Sequence, residues 1–308
     1  FFQAEDGIRD SVASRGLGDV YKRQIQWVVI IYALTIASLL LPMGRLSDLV
    51  GRKKVYIIGT VVMAAGAIFS GLSPSLDMMF PSRVLQGVGA AMTQGTGMAI
   101  ITAAFPANEK GRAIGMFMTM VGVGAIAGPA IGGLVVDAFG WRVVFFLTLP
   151  LSAICLVATA WVLRAWSEVQ ETSGTKFDWW GATLSTGFLV ALLVAMTAGN
   201  KAGWTSLMIL ATFGGAVAML AIFTWWELRC DAPMLDLRLF KGRTFTFGIS
   251  SAFLTFLGSS AVLFMMPFYL QNVLGYSAKT AGFVVVPGAI CMAVMGTCLL
   301  YTSDAADE

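Results

Sequence analysis

Two charged clusters stand out in a chain that is otherwise almost all apolar. Arg83 sits inside an apolar run, followed by Gln86, Gly87 and Gly89. It lies six residues past Asp77, about 9 Å along a helix at 1.5 Å per residue. A guanidinium at that depth in lipid is expensive, so it is expected to serve a function; the plainer reading is a long side chain reaching the headgroups. The second cluster is the short polar stretch Gly44-Arg-Leu-Ser-Asp48-Leu-Val-Gly51-Arg52-Lys53-Lys54. Asp48 and Arg52 are four apart and pair if the turn is helical; otherwise Asp48 can cap a helix N-terminus. Gly44 and Gly51 are expected to permit a tight reversal between closely packed helices. Lys53 and Lys54 read as basic anchors.

Other chemistries are poorly supplied. The chain has no His, which excludes imidazole metal sites and His-based proton relays. Its four Cys (Cys155, Cys230, Cys291 and Cys298) lack metal-site spacing, and two of them lie in apolar runs as small hydrophobes. Neither a metal nor another cofactor is expected. With no carboxylate inside any apolar core, an intramembrane enzyme has little to build on.

The elements that must hold these residues are membrane helices. Of 308 residues, 57% are hydrophobic and 12% charged, about half the charged share of an ordinary soluble domain. Nine cores are expected to span a bilayer: Ile25–Met43, Val55–Ser73, Met78–Ala104, Ala113–Val136, Val143–Leu163, Trp179–Gly199, Ser206–Trp226, Thr244–Leu270 and Thr280–Thr297. The runs lack the alternation of a barrel, so the fold class is all-α.

Basic residues sort by loop. Alternate loops, beginning with the first, hold Arg45, Arg52, Lys53, Lys54, Lys110, Arg112, Arg164, Lys176, Arg229, Arg238, Lys241 and Arg243; the others hold only Arg142, Lys201 and Lys279. Positive charge favours the cytoplasmic side, so the 44–54 loop is expected there. The span from Ile25 then runs inward, and a further span is expected before it.

Glycines shape the third and fourth cores. Gly87, Ala91, Gly95 and Ala99 form a stripe at four-residue spacing, suited to close helix packing. The fourth core reads Gly124-Ala-Ile-Ala-Gly128-Pro129-Ala-Ile-Gly132-Gly133, a smooth face with a proline kink.

Together these motifs resemble the major facilitator superfamily. The 44–54 stretch is similar to that family's signature loop, where the acidic residue joins a charge relay that latches the two halves. The Arg83 context resembles the fourth-span motif implicated in proton coupling. The Gly124–Gly133 string resembles the fifth-span motif of proton-coupled antiporters. The stretches beginning at Pro233 and Pro267 resemble the fourteen-span drug:proton branch. On that alignment the cores are spans two to ten, Trp179–Gly199 and Ser206–Trp226 being the two extra central spans.

The resemblance implies an incomplete helical bundle of the cytoplasmic (inner) membrane. It would export amphipathic drugs against protons by alternating access, driven by a proton gradient. The partners implied are the lipid bilayer, small amphipathic substrates and protons, not nucleic acid; periplasmic or outer-membrane partners stay open. Asp48, Arg52 and Arg83 would serve coupling and latching, with the coupling acid expected in the span before Ile25. Tyr32, Met92, Gln94, Met118, Phe264 and Tyr269 are candidates for a substrate cavity, since Met and aromatic surfaces repack around varied ligands. Export of one metabolite, lipid or siderophore is the alternative on the same fold, and a non-transporting sensor is a third.

Residues 1–24 and 298–308 resemble translated sequencing-adaptor read-through and are set aside. Between them, 25–163 is expected to form a first lobe, 164–243 the linker, extra spans and second cytoplasmic loop, and 244–297 the start of a second lobe.

Overall fold

The computed structural model describes residues 15–106, 108–162, 177–276, 280, 281, 284, 287 and 288, with side chains for most of those from Trp27 onward. Among the described residues the regular structure is helical, without strands, the helices being joined by turns and short irregular segments. The helices are α1 (Arg15–Val50), α2 (Arg52–Leu72), α3 (Leu76–Ala104), α4 (Lys110–Phe139), α5 (Trp141–Phe146), α6 (Thr148–Val162), α7 (Trp179–Ala202), α8 (Leu207–Glu227) and α9 (Arg243–Phe268).

Six helical stretches among the described residues are long and apolar enough to cross a membrane: Trp27–Val50, Arg52–Leu72, Trp141–Val162, Trp179–Gly199, Leu207–Glu227 and Arg243–Val262. Helix α3, at 29 residues, is long enough but diluted by Arg83, Gln86, Thr93, Gln94 and Thr96; α4 has 30 residues. The ninth expected core falls largely outside the described residues. The expected fifth span is α5 and α6 in series. Pro150 has no N–H to offer the carbonyl of Phe146, and the chain turns at Leu147.

Large apolar side chains on these helices face outward, among them Leu207 at 84% exposure and Val157 at 69%. Such surfaces need a lipid solvent. Hydroxyls inside the helices are satisfied locally: Thr35 donates to the carbonyl of Ile31, Thr60 to Tyr56 and Thr96 to Met92, at 2.7–2.8 Å.

The chain forms two compact units. Among the described residues, one comprises 15–100, 145–162 and 177–238 and so holds α1, α2, most of α3, α6, α7 and α8. The other takes in the described residues of 101–144 and those from 239 onward and holds α4 and α9.

In the first unit α3 is clasped by α1 and α2 through missing side chains. A Cβ on Gly87 would lie 2.7 Å from Cβ of Thr35, and one on Gly95 3.1 Å from the Gly44 nitrogen and the Leu40 carbonyl oxygen. The stripe read from the sequence therefore faces α1. Another face meets α2, where Cβ atoms on Gly59 and Gly66 would lie 2.6 Å from Met92 and 2.5 Å from Gln86. Gly59 and Gly66 are two turns apart, so both point at the same neighbour. Ser70 and Ser82 share a buried hydroxyl bond of 2.9 Å across that seam.

Helices α7 and α8 form an antiparallel hairpin, and α7 packs on α1. Gly203, at φ +82°, makes the reversal, and Trp204 fills the space that a side chain at Gly199 would need.

Candidate functional site

The signature loop is tighter than the sequence suggests. Helix α1 continues through Gly44 and Asp48 to Val50, and the whole reversal falls on Gly51, at φ +111°. The expectation that Gly44 serves the turn is thereby corrected. Gly44 lies inside α1, where it admits the backbone of α3 at Gly95. Asp48, in the last turn of α1, and Arg52, the first residue of α2, meet across the Gly51 turn. Arg52 donates through Nε at 3.0 Å and NH2 at 2.9 Å, both to Asp48 Oδ1. Its NH1 donates to the carbonyl of Ala99 at 3.2 Å, near the end of α3. One guanidinium thus ties α1, α2 and α3 at a single point. The pair is 30% and 41% exposed, so it adds at most ~1 kcal/mol to stability.

Beside it lies a cavity of about 490 Å³ lined by Ala37, Leu40, Leu41, Gly44, Arg45, Asp48, Gln94, Gly95 and Met234. Its wall carries both charged and apolar groups.

Arg83 occupies a different place on α3. Its NH1 donates to Gln86 Oε1 at 2.8 Å. Its guanidinium carbon is 4.3 Å from the Phe145 ring centroid and 5.7 Å from that of Tyr32. Gln86 is buried and held against Gly66 of α2. The cation is packed among rings from α1 and α5 and does not extend freely to a headgroup. Its Nε is buried and has no hydrogen-bond partner among the described residues. Packing against two aromatic faces compensates part of the lost hydration. The unused donor still favours an acceptor brought to it.

The remaining candidates are scattered. Tyr32 belongs to the Arg83 cluster and Gln94 to the cavity wall. Met92 is 8% exposed and fills the α2–α3 seam at Gly59, so packing, not access, governs it. In the second unit Met118 and Tyr269 are exposed. The side chain of Phe264 lies outside the described residues, as does that of Pro129. A Cβ at Gly124, Gly128, Gly132 or Gly133 would meet nothing within 4 Å. Within its own unit no described residue lies against that face.

Two buried carboxylates escaped the sequence reading. Asp178, 8% exposed, caps α7 by accepting from the Gly181 nitrogen at 2.9 Å, and it also accepts from Trp226 Nε1 at 3.0 and 3.1 Å. Glu227, 4% exposed, ends α8. Each lies one residue outside an apolar core. The signal was the hairpin itself, since antiparallel neighbours bring the start of one core to the end of the next.

Among the described residues no three potential ligands gather to hold a metal ion. The helices and their exposed apolar flanks define an integral membrane protein. The chain belongs to the major facilitator superfamily, whose family model matches residues 18–177. It is a member of a transporter family, not an enzyme. It is 35% identical over 272 residues to multidrug resistance protein Stp of Mycobacterium tuberculosis, covering 88% of this chain and 50% of that protein. It is 30% identical over 307 residues to multidrug transporter protein MdtP of Bacillus subtilis, covering 98% and 56%. It is 32% identical over 307 residues to riboflavin transporter RibZ of Clostridioides difficile, covering 99% and 66%. The chain spans about half the length of the first two.

Proposed function

We propose that the chain is part of a proton-coupled exporter of amphipathic drugs or similar toxic compounds, working by alternating access in the cytoplasmic membrane. The observation that carries this reading is the packed Arg83 cation with an unfilled Nε donor, in a chain that also holds the Gly124–Gly133 string. The multidrug names of two relatives support it.

Arg83 offers its free donor to an ionised carboxylate of the whole transporter. At an effective dielectric of 20, two unit charges 4 Å apart attract by about 4 kcal/mol. Protonating the acid from the outer side removes that attraction and lets the helices turn inward with the proton; a drug binding from the cytoplasm favours release of that proton inward, so that the drug leaves as a proton enters. At the signature loop, on the cytoplasmic side, the exposed Asp48–Arg52 pair opens and closes as the helices rock. Gln94 on the cavity wall, with Tyr32 beside Arg83, offers polar and aromatic contact to cargo. Lipid surrounds the remaining apolar faces.

Everted vesicles from cells expressing the intact transporter test the reading. Uptake of an amphipathic cation should follow the imposed proton gradient and collapse with a protonophore. Transport that persists with the gradient gone would overturn proton coupling.

Export of one dedicated metabolite is the second reading, favoured by the riboflavin transporter among the relatives. An unchanged drug-resistance panel beside strong transport of a single compound would select it.

A further inference from the structure

Glu227 has no part in the mechanism above, yet it is among the most buried charged residues described, at 4% exposure. Both of its oxygens are used. Oε1 accepts the backbone N–H of Met234 and Oε2 that of Leu235, each at 3.3 Å. The chain after α8 is thus folded back seven and eight residues onto its own helix end. The carboxylate also faces the first turn of α7, because a Cβ on Gly181 would lie 2.9 Å from Glu227 Oε1. There Asp178, held by Trp226 Nε1 and the Gly181 nitrogen, completes the joint between α7 and α8. Met234, 8% exposed, is what the joint delivers. It lines the 490 Å³ cavity together with Gly44, Arg45, Asp48, Gln94 and Gly95.

We propose that Glu227 is a positioning residue for the signature loop: it holds Met234 against the cavity beside Asp48, so that the α7–α8 hairpin bears on the Asp48–Arg52 pair. A hairpin that merely filled lipid would need no buried carboxylate at its end. This carboxylate instead spends both oxygens on two successive amides of the segment that reaches the loop. The hydrogen-bonded carboxylate fixes the backbone, and the unbranched Met side chain makes the contact. The effect on transport rests on the proposed function; the placement of Met234 does not.

The test uses the full chain in membranes, with the four native cysteines changed to serine and with Gln94→Cys and Met234→Cys introduced. A short bifunctional thiol reagent should cross-link the two positions efficiently. Adding Glu227→Ala should lower the yield about tenfold, as expected when two charge-assisted bonds are lost. Leu235→Pro, which deletes one of the donated N–H groups and leaves the carboxylate intact, should lower it in the same direction and keeps the question open to answer where Glu227→Ala fails to fold. In the intact transporter, Glu227→Ala and Asp48→Asn should be non-additive in maximal efflux rate, with the half-saturating drug concentration unchanged by Glu227→Ala. A purely structural Glu227 would give additive losses. Cross-linking that is unaffected by both Glu227→Ala and Leu235→Pro overturns the placement, and additive transport effects overturn the coupling. Absence of proton-driven transport in the unsubstituted protein would instead overturn the proposed function while leaving the cross-linking result standing.

Discussion

The hydroxyl of Thr186 on α7 donates to the carbonyl of Ser38 on α1 at 3.2 Å. Pro42, inside α1, has no N–H, so the carbonyl four residues before it is left without its helical donor. That carbonyl belongs to Ser38. In lipid an orphaned carbonyl is costly, and here the neighbouring helix supplies the missing hydrogen. The same bond joins the α7–α8 hairpin to the helix that carries the signature loop.

Removing this donor should loosen the hairpin. Thr186→Val keeps the shape but strands the Ser38 carbonyl, at a cost of about 1–2 kcal/mol. Thr186→Ser should restore most of it. Thermal unfolding of the purified protein in detergent reads the difference, and equal midpoints for Thr186→Val and the parent would refute the assignment.

Glycines that look alike in sequence should behave differently. A Cβ at Gly89 would press into the backbone of Met63 and Gly59, whereas one at Gly97 or Gly124 meets nothing within 4 Å. Gly89→Ala should therefore destabilise by about 1–3 kcal/mol through overpacking. Gly97→Ala should be neutral or stabilising by up to about 1 kcal/mol from helix propensity. Gly124→Ala should match Gly97→Ala in stability while lowering proton-driven efflux. Detergent melting curves and vesicle transport separate the two kinds of effect.

Asp48→Asn should barely alter stability, by under about 1 kcal/mol, because the pair it breaks is part-exposed. Its cost should appear in transport, as a fall of about five- to 150-fold, the range of a coupling worth 1–3 kcal/mol. A melting shift comparable to that of Gly89→Ala, with normal efflux, would make Asp48 a structural anchor instead.

Helix positions were readable because lipid demands long apolar runs, and all but the last of the expected cores coincide with described helices. The partners of the Asp48–Arg52 pair were readable from their spacing, but the route was not: they meet across the Gly51 turn, from the end of α1 and the start of α2, and not along one continuous helix. Which glycine turns the chain was not readable. Gly44 and Gly51 are the same residue type, and only the approach of α3 at Gly95 reserves Gly44 for packing. The partners of Arg83 were equally hidden. Phe145 is 62 residues away in sequence and reaches the guanidinium only after α5 folds back beside α2 and α3. Asp178 and Glu227 look like ordinary polar ends of apolar runs until the α7–α8 hairpin joins them.

The most direct measurement compares Arg83→Gln and Arg83→Lys in the intact transporter at matched membrane levels, by the initial rate of protonophore-sensitive efflux of an amphipathic cationic dye. Gln keeps much of the length and polarity but loses the charge; Lys keeps the charge but loses the planar fork that stacks on Phe145 and binds Gln86. Efflux should fall at least about tenfold with Gln and be partly retained with Lys. Full efflux with Arg83→Gln would show that the buried cation has no share in coupling.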